Sequence, residues 1–153
     1  MYPDLINNIE SQIISKEITF SRKTYLQPFI NFLKLNLKET NAVININFIC
    51  THNSRRSQLA QVWAQIAIAY FEIPGISCYS GGTEQTTVYT QITRTLANQG
   101  IEVIQLSDER NPIYALKYSD TSLPIILFSK VYYHGYNPQS EFISVMTCSQ
   151  ADE

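Results

Sequence analysis

Histidine occurs twice and cysteine three times in 153 residues. An odd cysteine count without scaffold spacing excludes a disulfide-stapled secreted fold and fits a reducing compartment. His52 and His134 have no neighbouring residues at metal-ligand spacing, which excludes a structural zinc motif. Charge is scarce as well: charged residues make up 16%, the net charge is -2, the sequence pI is near 5.7, and the basic residues are scattered. That composition excludes the clustered positive surface that a nucleic acid or an anionic membrane needs. No apolar run approaches the roughly 20 residues of a membrane span, and the start Met1-Tyr2-Pro3-Asp4-Leu5 lacks a cationic stretch ahead of an apolar one. The expectation is a cytoplasmic chain with no nucleic-acid and no membrane partner and no bound cofactor. Neither an internal repeat nor a low-complexity tract is found.

What is present suffices for one domain with a core, at 44% hydrophobic and a mean hydropathy of -0.12. Leu5, Ile6, Ile9, Ile13 and Ile14 fall on one helical face, and Tyr25, Leu26, Phe29, Ile30, Leu33 and Leu37 form a longer stripe interrupted at Pro28. Residues 1–40 therefore read as a helical extension of two helices, or one kinked helix, packed on a domain of residues 41–153. There the pattern predicts a strand over about 43–50, a helix over 57–71, a strand over 76–80, a helix over 87–99 and a strand over 101–106. Such alternation implies a parallel sheet with right-handed crossovers and helices on both faces, a three-layer α/β fold. Tyr114–Tyr118 and Pro124–Phe128 read as an inserted hairpin, and Phe142–Cys148 as a central buried strand.

Chemistry concentrates in Cys50-Thr51-His52-Asn53-Ser54-Arg55-Arg56-Ser57, between the apolar strand and a helix carrying Leu59, Val62, Trp63, Ile66 and Tyr70 at helical spacing. Backbone N–H groups in such a turn, with the positive end of the following helix, make a site for phosphate-like anions. Helix N-termini and nearby cations favour the thiolate, the nucleophilic form of cysteine. Arg56 completes a Cys-x5-Arg pattern and is placed to grip two oxygens of the same anion with its planar fork. Ser57 is a candidate donor to the sulfur and Asn53 a candidate for a left-handed turn. Thr51, His52, Ser54 and Arg55 complete the anion-binding set. The plain alternative is a buried cysteine at a strand end followed by an arginine-containing helix cap.

The segment Phe48-Ile49-Cys50-Thr51, the Asn53-Ser54 turn and the Arg56-Ser57 pair resemble the active-site loop of the low-molecular-weight protein tyrosine phosphatases and of the related thioredoxin-coupled arsenate reductases. Cys78-Tyr79-Ser80-Gly81-Gly82-Thr83-Glu84 is similar to the strand and serine-glycine turn after the family's first helix. Val145-Met146-Thr147-Cys148-Ser149-Gln150-Ala151-Asp152 looks like the segment with the second redox cysteine of the arsenate reductases. The resemblance runs from about residue 43 to the last residue, with a divergent stretch between about 85 and 141. Arg55 departs from the small residue common at its position. The third cysteine of the reductases and the aspartate-proline segment that supplies a general acid have no counterpart, so the resemblance implies a family member lacking its last strand and helix.

The resemblance implies two chemistries. In an arsenate reductase Cys50 attacks arsenic and Cys148 completes the redox step, with thioredoxin or glutathione as external reductant. In a phosphatase Cys50 forms a phosphocysteine from phosphotyrosine, slowly if no acid protonates the leaving group. A third reading is an oxyanion-binding module without turnover. Cys148 also reads as a small buried strand residue, Cys78 as core, His134 as a surface loop residue, and Tyr132, Tyr133 and Tyr136 as a packed cluster or the flank of a pocket.

Overall fold

The computed structural model describes residues 1–38 and 43–151. The proposed boundary at 40/41 and Asp152 lie outside the described residues. Pro3 opens the first helix, α1 (Pro3–Asn8), where its missing N–H costs nothing, and a π-helical stretch Ile9–Ile14 continues it. Helix α2 (Phe20–Asn36) is capped by Thr19, whose side chain accepts from the Arg22 N–H. It runs through Pro28, so the proline does not divide the stripe as the periodicity suggests; Phe29, Leu33 and Leu37 pack on one face regardless. No helix among the described residues is long and apolar enough to cross a membrane.

Strand β1 (Ile44–Cys50) lies between β2 (Ile76–Gly82) and β6 (Phe142–Met146), and both pairs are parallel. Ile44, Ile46, Ile76 and Cys78 present one apolar face, against which Phe29, Leu33 and Leu37 of α2 and Ala64 and Ile68 of α3 (Arg56–Tyr70) pack. The fold is thus α/β, a three-stranded parallel sheet flanked by helices. The opposite face carries buried Asn47, whose Nδ2 donates to the Tyr132 carbonyl, and Tyr79, edge-on to Tyr136. The segment 131–137 covers that face where the sequence pattern suggests a helix.

Two expectations are corrected. The strand predicted over 101–106 does not join the parallel core. As β3 (Glu102–Gln105) it pairs antiparallel with β4 (Tyr114–Lys117), which pairs antiparallel with β5 (Ile125–Leu127), so the expected hairpin has become a three-stranded sheet of its own. This second sheet, α1 and α4 (Thr90–Asn98) enclose a core of Leu5, Val62, Ile66, Leu96, Leu116 and Leu127. The second correction concerns β6, which is an edge strand of mostly half-exposed residues because only β1 pairs with it. Cys78 is core, as its position suggests; burial pushes its thiol up to about 12.

Lys130 is fully buried just after β5, its ammonium 4.5 Å from the Phe128 ring centre and 5.5 Å from that of Tyr136, and 3.4 Å from the Phe128 carbonyl. Burial lowers its pKa to about 7. Tyr136 does not compete in that range, since burial and Tyr79 raise its own value. The unfolded chain keeps the lysine proton up to the ordinary value near 10.5, so between about pH 7 and that value the unfolded state binds more protons and stability climbs with pH. Below about 7 both states are charged and the whole burial penalty is felt. Lys130→Met is expected to raise stability at pH 7 and to flatten its rise between about pH 7.5 and 9.5 in urea denaturation; an unchanged slope would exclude Lys130 as its source.

Candidate functional site

Because β1, β2 and β6 run parallel, their carboxyl ends open on one side of the sheet, the place where ligands of such sheets bind. Cys50 ends β1, the loop 51–55 follows, and α3 starts at Arg56. The Thr147 N–H and hydroxyl both donate to the Ile49 carbonyl, at 2.7 and 2.9 Å, carrying the chain beyond β6 alongside the loop. From the other side comes the turn after β2. Gly82 is required there, since a β-carbon would lie 2.7 Å from the Thr51 carbonyl and 2.8 Å from the Asn53 nitrogen.

The carbonyls of residues 50–54 each accept a hydrogen bond from a donor outside the loop. That of Cys50 accepts from the Thr83 N–H, that of Thr51 from the Glu84 N–H, and that of Ser54 from the Tyr89 N–H. The His52 carbonyl takes the hydroxyls of Thr86 and Ser129, at 3.1 and 2.9 Å, and the Asn53 carbonyl takes Gln58 Nε2 at 3.0 Å. With the carbonyls so engaged, the N–H groups of residues 52–56 find no backbone acceptor among the described residues. α3 has no side-chain N-cap to occupy its first turn. The loop therefore offers unpaired N–H donors at a helix N-terminus, an arrangement compatible with an oxyanion.

Asn53 fixes the thiol's partner. Its backbone is left-handed, φ 45°, and its side chain is fully buried. The Lys130 N–H can only donate, so the Asn53 atom 3.0 Å from it is the carbonyl Oδ1. Nδ2 then donates to Ser57 Oγ at 2.9 Å. Ser57 Oγ is 3.0 Å from Cys50 Sγ, and when Cys50 is a thiolate the hydroxyl is the donor of that contact. Cys50 itself is 4% exposed, with a hydroxyl aimed at its sulfur.

A second thiol lies beside the loop. Cys148 Sγ is 3.5 Å from Thr51 Oγ1. Burial raises its pKa, but hydrogen bonds from the Thr51 hydroxyl, the Thr51 backbone and the Ala151 backbone, together with the Arg56 guanidinium, outweigh burial and hold the thiol below its ordinary value. Cys50, His52, Ser54, Arg55, Arg56 and Thr86 line a cavity of about 500 Å³. Arg55 also stacks over Tyr89, 5.2 Å from the ring centre. Ser54 shapes the loop through its hydroxyl, which donates to the Thr87 carbonyl at 2.6 Å.

Of the residues singled out in the sequence, Cys50, His52, Ser54, Arg55 and Arg56 line this cavity, while Thr51, Asn53, Ser57 and Cys148 are not among its lining residues. Tyr132 lies behind the loop, against the sheet face carrying Asn47, and Tyr136 packs on Phe128 and Tyr79, so neither lines this cavity. Tyr133 and His134 are exposed, the latter accepting the Tyr136 N–H in a turn. Sequence reading misses Gln58, Glu84, Thr86, Tyr89 and Ser129. Only Glu84 carried a signal, as part of the serine-glycine turn.

Removing the Asn53 side chain orphans the Lys130 N–H and frees the Ser57 hydroxyl from its orientation. Asn53→Ala is expected to cost roughly 1–3 kcal/mol in denaturant unfolding and to lose any protection of Cys50 against alkylation that inorganic phosphate is found to give the unsubstituted chain; equal protection in both would show that the amide does not shape such a site. Compared with protein-family models, with curated proteins and with solved structures, the chain matches none.

Proposed function

We propose that the chain is a cysteine-dependent oxyanion enzyme of the arsenate reductase kind. The Cys50 thiolate attacks arsenic while the loop N–H groups and Arg56 hold the oxygens. Cys148 then attacks the sulfur of the Cys50–arsenic adduct, so that the two thiols supply two electrons, arsenite leaves as arsenic(III), and a Cys50–Cys148 disulfide forms. An external thiol, thioredoxin-like or glutathione, restores the pair, which suits a reducing cytoplasm.

The observation that carries this reading is the thiol of Cys148 beside Thr51, with Arg56 and two backbone groups favouring its thiolate. A disulfide needs α-carbons within about 7 Å, and adjacent strands lie about 4.8 Å apart. With Ile49 paired to Met146, Cys50 lies one residue and Cys148 two residues beyond that register position. The phosphatase reading rests on a different observation, the half-exposed Tyr89 ring stacked under Arg55, which itself lines the cavity, an aromatic surface of the kind that packs against a phenyl ring. An oxyanion-binding module without turnover is the outcome if neither chemistry occurs.

Intact mass after incubation with arsenate separates these readings. Arsenate is expected to remove two protons and to join Cys50 and Cys148 in one disulfide-linked peptide, and both Cys50→Ser and Cys148→Ser are expected to block this. Cys148→Ser should spare hydrolysis of p-nitrophenyl phosphate. Intact thiols throughout, with ester turnover, would favour the phosphatase.

A further inference from the structure

Displacement of an oxygen from arsenic or phosphorus needs a proton for the departing group, and the cavity wall holds few groups able to give one. Arginine does not release its proton in a protein, and serine and threonine hydroxyls are far too weak as acids. Cys50 is the nucleophile. Of the residues lining the cavity, His52 is the only one whose side-chain type exchanges a proton near neutrality.

Its setting is that of a held group. The His52 carbonyl is gripped by the hydroxyls of Thr86 and Ser129, at 3.1 and 2.9 Å, and the Ser129 hydroxyl in turn accepts the Thr86 N–H at 2.8 Å. Glu84 is fixed by its own N–H on the Thr51 carbonyl, at 2.8 Å. Between these two anchored backbones, His52 Nε2 meets Glu84 Oε2 at 3.5 Å, the only ion pair among the described residues. Both side chains are more than half exposed at the mouth, so the pair carries little of the fold's stability. A carboxylate 3.5 Å from one imidazole nitrogen orients the ring and leaves Nδ1 as the nitrogen available to a ligand. Arg55 and Arg56 line the same cavity, where their guanidinium groups would meet the anion's other oxygens.

We infer that His52, oriented by Glu84, donates the proton to the oxygen that leaves when Cys50 attacks, and that the site therefore accepts phosphate esters with poor leaving groups as well as arsenate. The inference rests on the reading of Cys50 as the nucleophile. In the ester reaction the Cys50 sulfur–phosphorus bond forms and the phosphorus–oxygen bond breaks. Its electron pair goes to the leaving oxygen, which takes the His52 proton and departs as an alcohol or phenol. Neutral His52 then takes a proton from the water that cleaves the phosphocysteine, which returns the Cys50 thiolate and the imidazolium. With arsenate the leaving oxygen is a hydroxide, released as water.

The test compares phenyl phosphate, which has a basic leaving group, with 2,4-dinitrophenyl phosphate, which needs no acid, on the full chain and on His52→Gln. General acid catalysis is worth about 10²–10⁴-fold. His52→Gln is expected to lower kcat for phenyl phosphate by about 10²-fold and to leave the dinitrophenyl ester within a few-fold of the unsubstituted chain. Glu84→Gln should give a smaller loss with the same preference. Equal losses on both esters, no loss on either, or an unsubstituted chain that hydrolyses neither would overturn the assignment. Arsenate-dependent thiol loss reports on Cys50 separately: if it persists while both esters lose equally, only the role of His52 falls. Ester hydrolysis surviving in Cys50→Ser would remove the nucleophile and His52's role with it.

Discussion

The orientation of one buried amide sets the chemistry of this loop. Asn53 Oδ1 has a single correct assignment because it faces a backbone N–H, and that assignment makes Nδ2 the donor to Ser57, whose hydroxyl donates to the Cys50 sulfur once that sulfur is a thiolate. Each contact alone is an ordinary hydrogen bond of about 1 kcal/mol. In sequence they act as a relay of direction, since reversing the first would leave the Lys130 N–H buried against an NH₂ group. The left-handed backbone of Asn53 belongs to the same solution. Glycine would meet the dihedral angle without supplying the amide, and most other residues would supply neither.

The relay also ties the loop to the strand end at 128–130. Gln58 Nε2 lies 2.9 Å from the Phe128 carbonyl and 3.0 Å from both oxygens of Asn53, while its Oε1 accepts from Ser80. The first turn of α3, the loop, β2 and the exit of β5 are thereby one hydrogen-bonded block. Engaging the carbonyls of residues 50–54 in that block leaves the N–H groups of residues 52–56 without backbone acceptors among the described residues. Lys130, though adjacent, lies with its ammonium against two aromatic rings and a carbonyl.

The loop was legible in the sequence because its logic is local: an apolar β-branched strand, a turn containing asparagine, and a helix with recurring apolar residues lie within thirty residues. The parallel pairing of β1 with β2 followed from the intervening helix. Glu102–Gln105 was not legible, since four residues of strand-like composition look the same whether they join β1 or fold back on Tyr114–Lys117; the difference lies in a connection too short for a helical crossover. The edge position of β6 was hidden likewise, because Phe142-Ile143-Ser144-Val145-Met146 reads as apolar while one side of its backbone is unpaired among the described residues. Thr86, Ser129 and Glu84 escaped notice since each acts on a loop carbonyl or on His52 from 32 to 77 positions away.

On the arsenate reading, the edge position of β6 bears on how the thiol pair is restored. An external thiolate must attack one sulfur of the disulfide and expel the other. Cys50 is buried behind the loop, while Cys148 lies half-buried at the end of a strand that has a neighbour on one side only. Attack is therefore directed to Cys148, and the sulfur expelled is that of Cys50. That sulfur leaves into the arrangement already built for it, with the Ser57 hydroxyl 3.0 Å away and its proton oriented by Asn53. The amide that prepares the thiolate for attack is thus the same one that receives it when the enzyme is reset, and an edge strand, a liability in most sheets, gives the reductant its approach.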